Sequence, residues 1–178
     1  MTSKSIAISL TAAAVALAMA GCSALMHDEP TAVAHLQPTT GNSATGTVLF
    51  TQQGDKVKVD AEVSGLTPGQ HGFHIHETGN CSAPDASSAG GHFNPTAKPH
   101  GNPSGSMHHA GDMPALEANA AGHASLHVVL DAMTLTEAPN DIIGKAVIVH
   151  QKPDDYQTQP TGNSGGRVAC GVIEAQKP

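Results

Sequence analysis

From Thr31 onward, apolar and polar residues alternate along much of the chain with the period of two that sends successive side chains to opposite faces of a strand. Val57-Lys-Val-Asp-Ala-Glu-Val63 is the clearest run, and Thr45-Gly-Thr-Val-Leu-Phe50 is rich in β-branched and large apolar residues. Gln53-Gly54-Asp55 supplies a turn between them. His71 to His76, Ala124 to Leu130, Lys145 to His150 and Val168 to Ile173 read as further strands. No stretch after residue 30 sustains helical periodicity. Short strands punctuated by Gly, Pro and Asn predict an all-β sandwich or barrel.

The start of the chain follows another pattern. Lys4 gives a short positive start, Ile6 to Ala20 is largely apolar, and small residues follow, as in an export signal. The run is short for a membrane span. The chain therefore divides into a signal at 1–21, a tether at 22–30 and one domain at 31–178, an ordinary single-domain size. Met19-Ala20-Gly21-Cys22 resembles a bacterial lipobox, which would make Cys22 the lipidated N-terminus. The alternative is cleavage after Ala18-Met19-Ala20, leaving Cys22 as a thiol. Lipidation is favoured because a lone exposed thiol is awkward in an oxidising compartment. An acyl chain would anchor the domain to a membrane. Ser23 points to the outer membrane and a periplasmic domain. In that compartment Cys81 and Cys170 read as a disulfide, with two unrelated buried thiols as the alternative.

The segment from Glu77 to Pro114 contains no Ile, Val or Leu and many Gly, Pro, Ser and Ala, so burial alone cannot order it. It holds Cys81, His92, His100, His108, His109 and Asp112, so metal and a crosslink are expected to supply the order. Twelve histidines are present in all, but their spacing says more than their number. His74-Ile75-His76 puts two imidazoles on one face of a strand, where they can chelate one ion, and His150 ends another strand-like run. His74, His76, His92 and His150 make an all-nitrogen set suited to copper(II). His92, His100, His109 and Asp112 make a set of three nitrogens and one oxygen suited to tetrahedral zinc. The net charge of −7 argues against nucleic acid as a partner, and equally against simple attraction of anions.

In order and spacing, His71-Gly-Phe-His-Ile-His76, Gly91-His-Phe-Asn-Pro95, His100-Gly101, His109-Ala-Gly-Asp112, Val149-His150 and Gly162-Asn-Ser-Gly-Gly-Arg-Val-Ala-Cys-Gly-Val172 resemble the copper/zinc superoxide dismutases over nearly the whole chain after the tether. The resemblance implies an eight-stranded Greek-key β-sandwich or barrel with long metal-binding and electrostatic loops. It further implies one copper ion on His74, His76, His92 and His150, and one zinc ion on His92, His100, His109 and Asp112, with His92 bridging. Cys81 and Cys170 match the family disulfide. Superoxide would be the substrate. His92 and Arg167, the one arginine in the chain, would be catalytic, the guanidinium giving an acidic protein a local positive field. Asp154 matches a carboxylate that links a copper ligand to a zinc ligand, and Thr161 matches a residue that narrows the channel beside the arginine. His71 is expected to pack behind the copper site, Asp155 to be solvated, and His108 to lie outside both sets. The family contains both monomers and homodimers, so both states stay open.

Overall fold

The computed structural model describes Met1 and residues 29–177. Each alternating run becomes a strand by burying its apolar face. The segments are β1 (Thr31–Pro38), β2 (Thr45–Gln53), β3 (Lys56–Ser64), β4 (Gly69–His71), β5 (Phe73–His76), β6 (Leu116–Ala118), β7 (Ala124–Leu130), β8 (Ala146–His150) and β9 (Arg167–Ala175). Seven form one antiparallel sheet in the order β5-β8-β9-β1-β2-β3-β7, while β4 pairs with β6. Among the described residues the only helical element is a 3₁₀ turn at Ser87–Ala89.

The sequence pattern treats residues 71–76 as one strand, but the structure interrupts it at Gly72. The Gly72 amide donates to the Lys152 carbonyl, and its own carbonyl accepts from the His150 amide, just where the β8–β9 register slips. With β4 and β5 taken as one interrupted strand, the nine segments make the eight strands implied by the resemblance. Two boundaries also move. β8 starts one residue later than expected, and β9 extends beyond Val168–Ile173 at both ends.

β2 and β3 pair in register from Thr45↔Ser64 to Gln53↔Lys56, around a turn at Gly54-Asp55. Their inward residues Val48, Phe50, Val57, Val59 and Ala61 are fully buried, whereas Lys56 and Glu62 face solvent. The same core cluster reaches Ile75 and Val149 at one end of the sheet and Val63 and Leu130 at the other, so the sheet curls around a single core.

β5 and β8 differ from the other strands in being buried along their whole length, on both faces. Phe73, Ile75, Val147 and Val149 point into the core. On the opposite face, Ala146 and Ile148 join Ala86, Ala89 and Cys170 in a small second cluster under the long 77–115 segment. The Cys81–Cys170 disulfide closes this layer, with Cα atoms 5.8 Å apart. That covered face is where the histidines gather.

Candidate metal centre

The 77–115 segment lies against β5 through backbone pairing. The Ile75 amide donates to the Gly111 carbonyl at 2.8 Å, the Phe93 amide to the Ile75 carbonyl at 2.8 Å, and the Glu77 amide to the Gly91 carbonyl at 2.9 Å. Alternation then sorts the loop as it sorts a strand. Phe93 and Met113 enter the core, while their neighbours His92 and Asp112 turn toward the covered face. Gly111 is required here, because a side chain would collide with the Ile75 carbonyl.

Two sets of ligand-type atoms result, each within 4.8 Å of one another and all buried: His74, His76, His92 and His150, and His92, His100, His109 and Asp112. His92 belongs to both. Other hydrogen bonds fix which nitrogen each ring presents. In the first set His76 Nδ1 donates to the Gly90 carbonyl at 2.9 Å and His150 Nδ1 to the Gly165 carbonyl at 3.3 Å. His74 Nε2 donates to Asp154 Oδ2 at 2.6 Å. The remaining nitrogens, His74 Nδ1, His76 Nε2, His92 Nε2 and His150 Nε2, are buried with no hydrogen-bond partner. Buried polar atoms are rarely left so, and four converging lone pairs are what a metal ion would satisfy. Burial drives the imidazoles to the neutral, ligating form. It lowers the pKa of His76 to about 2, of His150 to about 3 and of His92 to about 4. His74 is also lowered by burial, against the pull of Asp154.

The second set closes around Asp112. His92 Nδ1, His100 Nδ1 and His109 Nδ1 lie 2.9, 3.0 and 3.4 Å from Asp112 Oδ1. A tetrahedron of ligands around zinc, with bonds near 2.0 Å, has edges of about 3.3 Å. The other carboxylate oxygen is held by the Gly101 amide at 3.1 Å and the His109 amide at 2.9 Å. Burial opposes the charge on Asp112, but hydrogen bonds from the His100 and His92 rings and from the Gly101 and His109 amides, with the His109 ring close by, overcome it and keep the carboxyl ionised. Burial likewise opposes a charge on His100, yet the hydrogen bonds and charges of Asp112 and Asp154 raise it to about 9.

Asp154 joins the two sets. Its Oδ2 accepts from His74 Nε2, and its Oδ1 accepts from His100 Nε2 at 3.0 Å and from the Tyr156 amide at 2.7 Å. Arg167 sits opposite His150 in the β8–β9 register. Its Nη1 and Nη2 donate to the carbonyls of Ala86 and Gly90, both at 2.6 Å. Gly90 is also the acceptor for His76, so a single carbonyl separates the guanidinium from a histidine of the first set.

Residues 44–173 match the copper/zinc superoxide dismutase (SODC) family. The chain belongs to that family. A solved structure, that of the clock protein EA4, is 40% identical and superposes with a TM-score of 0.75, covering 83% of this chain and 95% of that one. As a superoxide dismutase family member the chain carries the full complement of ligand-type residues named from its sequence.

His71 is buried, with Nδ1 on the His150 carbonyl at 2.7 Å and Nε2 on the Thr67 carbonyl at 2.8 Å, directly behind a first-set histidine. His108 belongs to neither set, its Nδ1 donating to the His109 carbonyl. Asp155 is exposed and caps the turn at Thr158. Thr161 is half-buried, and its carbonyl accepts from Ser164 Oγ at 3.1 Å. Cys22 and residues 2–21 of the expected signal lie outside the described residues. Sequence reasoning overlooked Ala86, Gly90 and Gly165, whose carbonyls orient the site, because a carbonyl's role leaves no trace in residue type. It also overlooked Gln159 and Tyr156, which hold the loop beside Asp154.

Proposed function

We propose that the protein is a superoxide dismutase, converting two superoxide anions and two protons to dioxygen and hydrogen peroxide. The first set is the copper site and the second the zinc site, one ion each. The observation that carries this reading is the sharing of His92 between an all-imidazole set and a set closed by a carboxylate. Bound copper supplies one-electron exchange in both directions, which zinc lacks.

The chain's own residues do the rest. Arg167 attracts the anion into an acidic protein, and its two carbonyl anchors hold the guanidinium fixed beside the copper ligands. His92 offers Nε2 to one set and Nδ1 to the other, so its ring can stay in place through Nδ1 while Nε2 accepts a proton and passes it to reduced substrate. Asp154 keeps the protons of His74 and His100 on Nε2, leaving each Nδ1 free to ligate. Thr161 narrows the approach beside Arg167.

The disulfide supports an oxidising compartment, and with the lipobox-like Cys22 we place the domain in the periplasm, lipid-anchored with the outer membrane favoured. Superoxide consumption, measured on the metal-loaded protein, after copper removal and after copper return, tests the activity. Loss and recovery with copper are expected. A protein that holds both metals stoichiometrically yet leaves superoxide untouched would instead be a metal-binding relative.

A further inference from the structure

We infer that Gln159 is a positioning residue for the metal centre, its side-chain amide clasping the backbone of His100 so that the second ligand set and the 154–162 loop order as one unit. The inference rests on reading the second set as the zinc site.

His100 lies in a stretch without regular secondary structure, where backbone groups have no ladder partners and must be satisfied in other ways. The His100 amide donates to Gln159 Oε1 at 2.8 Å, and Gln159 Nε2 donates to the His100 carbonyl at 2.8 Å. One amide orientation fits both bonds, because the backbone group that donates and the one that accepts are not interchangeable. Gln159 thus pairs with His100 as a neighbouring strand would, from 59 residues away in sequence.

The imidazole of the same residue is held from the same loop. Asp154 Oδ1 takes His100 Nε2, leaving Nδ1 beside Asp112. Three of the four polar groups of His100 are therefore fixed by residues 154 and 159. The loop is shaped for this approach. Gly162 has a φ of 62°, and a Cβ there would lie 2.7 Å from His100 Nε2 and collide with Asp154 Oδ1, so both ends of the loop close on one ring. Between them Tyr156, also at positive φ, accepts the Ala115 amide on its hydroxyl at 2.9 Å. That ties the loop to the end of the metal-binding segment. An ion that fixes His100 consequently fixes residues 154–162 through Gln159, and the loop in turn preorganises His100 for the ion.

The test compares the full chain with Gln159→Ala, which lacks both bonds, and Gln159→Glu, which keeps the acceptor and sets an oxygen against the His100 carbonyl. Zinc affinity is read by competition with a chelator, using metal-free protein. Amide hydrogen exchange is followed with and without zinc. Both variants are expected to bind zinc about tenfold more weakly, the low end of what partners behind metal ligands contribute. Zinc-induced protection of residues 157–162 should disappear, while protection in β2 and β3 matches the wild type and shows an intact fold. Copper affinity measured without zinc should change less than threefold. Zinc affinity within threefold of the wild type, or undiminished zinc-induced protection of 157–162, would overturn the inference. Superoxide turnover is not a readout here, so an inactive protein that binds zinc as described would refute the functional reading alone.

Discussion

Replacing Asp154 by Asn should weaken the two sites unequally. Asp154 Oδ1 receives two donors, His100 Nε2 and the Tyr156 amide, whereas Oδ2 receives one, His74 Nε2. An asparagine keeps most of these bonds by placing its carbonyl where Oδ1 was. Its NH₂ group then faces the His74 N–H across a separation of 2.6 Å in the wild type, donor against donor. The loss is one charge-assisted hydrogen bond in a fully buried place, about 1.5–3 kcal/mol. At about 1.4 kcal/mol per factor of ten, copper affinity should fall roughly 10–100-fold. Zinc affinity should fall much less, because His100 keeps its acceptor. Asp154→Ala removes both acceptors and should weaken both sites. The assay is competition against chelators of graded strength, with copper measured on zinc-loaded protein and zinc on copper-free protein. Copper affinity within threefold of the wild type in Asp154→Asn, or a larger loss at zinc than at copper, would refute the reasoning.

Further outcomes follow from the same contacts. Arg167→Ala should retain both metals but consume superoxide at least about tenfold more slowly, with a weaker dependence of rate on ionic strength; an unchanged rate at low salt would contradict its role. Cys81→Ser with Cys170→Ser opens a loop whose ends are 89 residues apart, and should destabilise the domain by up to about 4.6 kcal/mol in denaturant titrations. The metal-free protein should be most stable at about pH 7, where proton uptake by three unfolded histidines is balanced by the proton that His100 keeps in the fold. Below it, His76, His92 and His150 are proton-free in the fold, with pKa values of about 2, 4 and 3, but protonate when unfolded, so stability falls with acid. Above it, His100 keeps its proton to about pH 9 only in the fold, so stability falls as the pH rises from about 7 to about 9. Thermal melts with and without zinc should show the alkaline fall only without the metal, since zinc takes the place of that proton. A flat alkaline limb in the metal-free protein would contradict the Asp112–His100–Asp154 arrangement.

The β2–β3 hairpin was legible because alternation, β-branched content and a Gly-Asp turn all agree locally. The ligand types were legible too, since His-x-His on a strand and His-x-Gly-Asp at a turn need a particular local backbone. What the pattern missed was settled by distant partners. Gly72 divides a strand because Lys152 and His150 claim its backbone groups. β6 is three residues long and exists through pairing with β4, so it carries little periodicity of its own. Phe93 and Met113 reach the core from a segment too poor in apolar residues to show a pattern, because its backbone pairs with Ile75. Gln159 looks like any loop glutamine until its contact with His100 is seen.

The sharing of His92 is tested most directly by the spin-resonance spectrum of one equivalent of copper(II) on the metal-free protein, recorded as zinc is added. A spectrum that changes and saturates at one zinc equivalent is expected, because zinc held by the second set would alter the same His92 ring that would hold copper in the first. A spectrum unmoved by zinc that is demonstrably bound would contradict the account, leaving two ions in unlinked pockets.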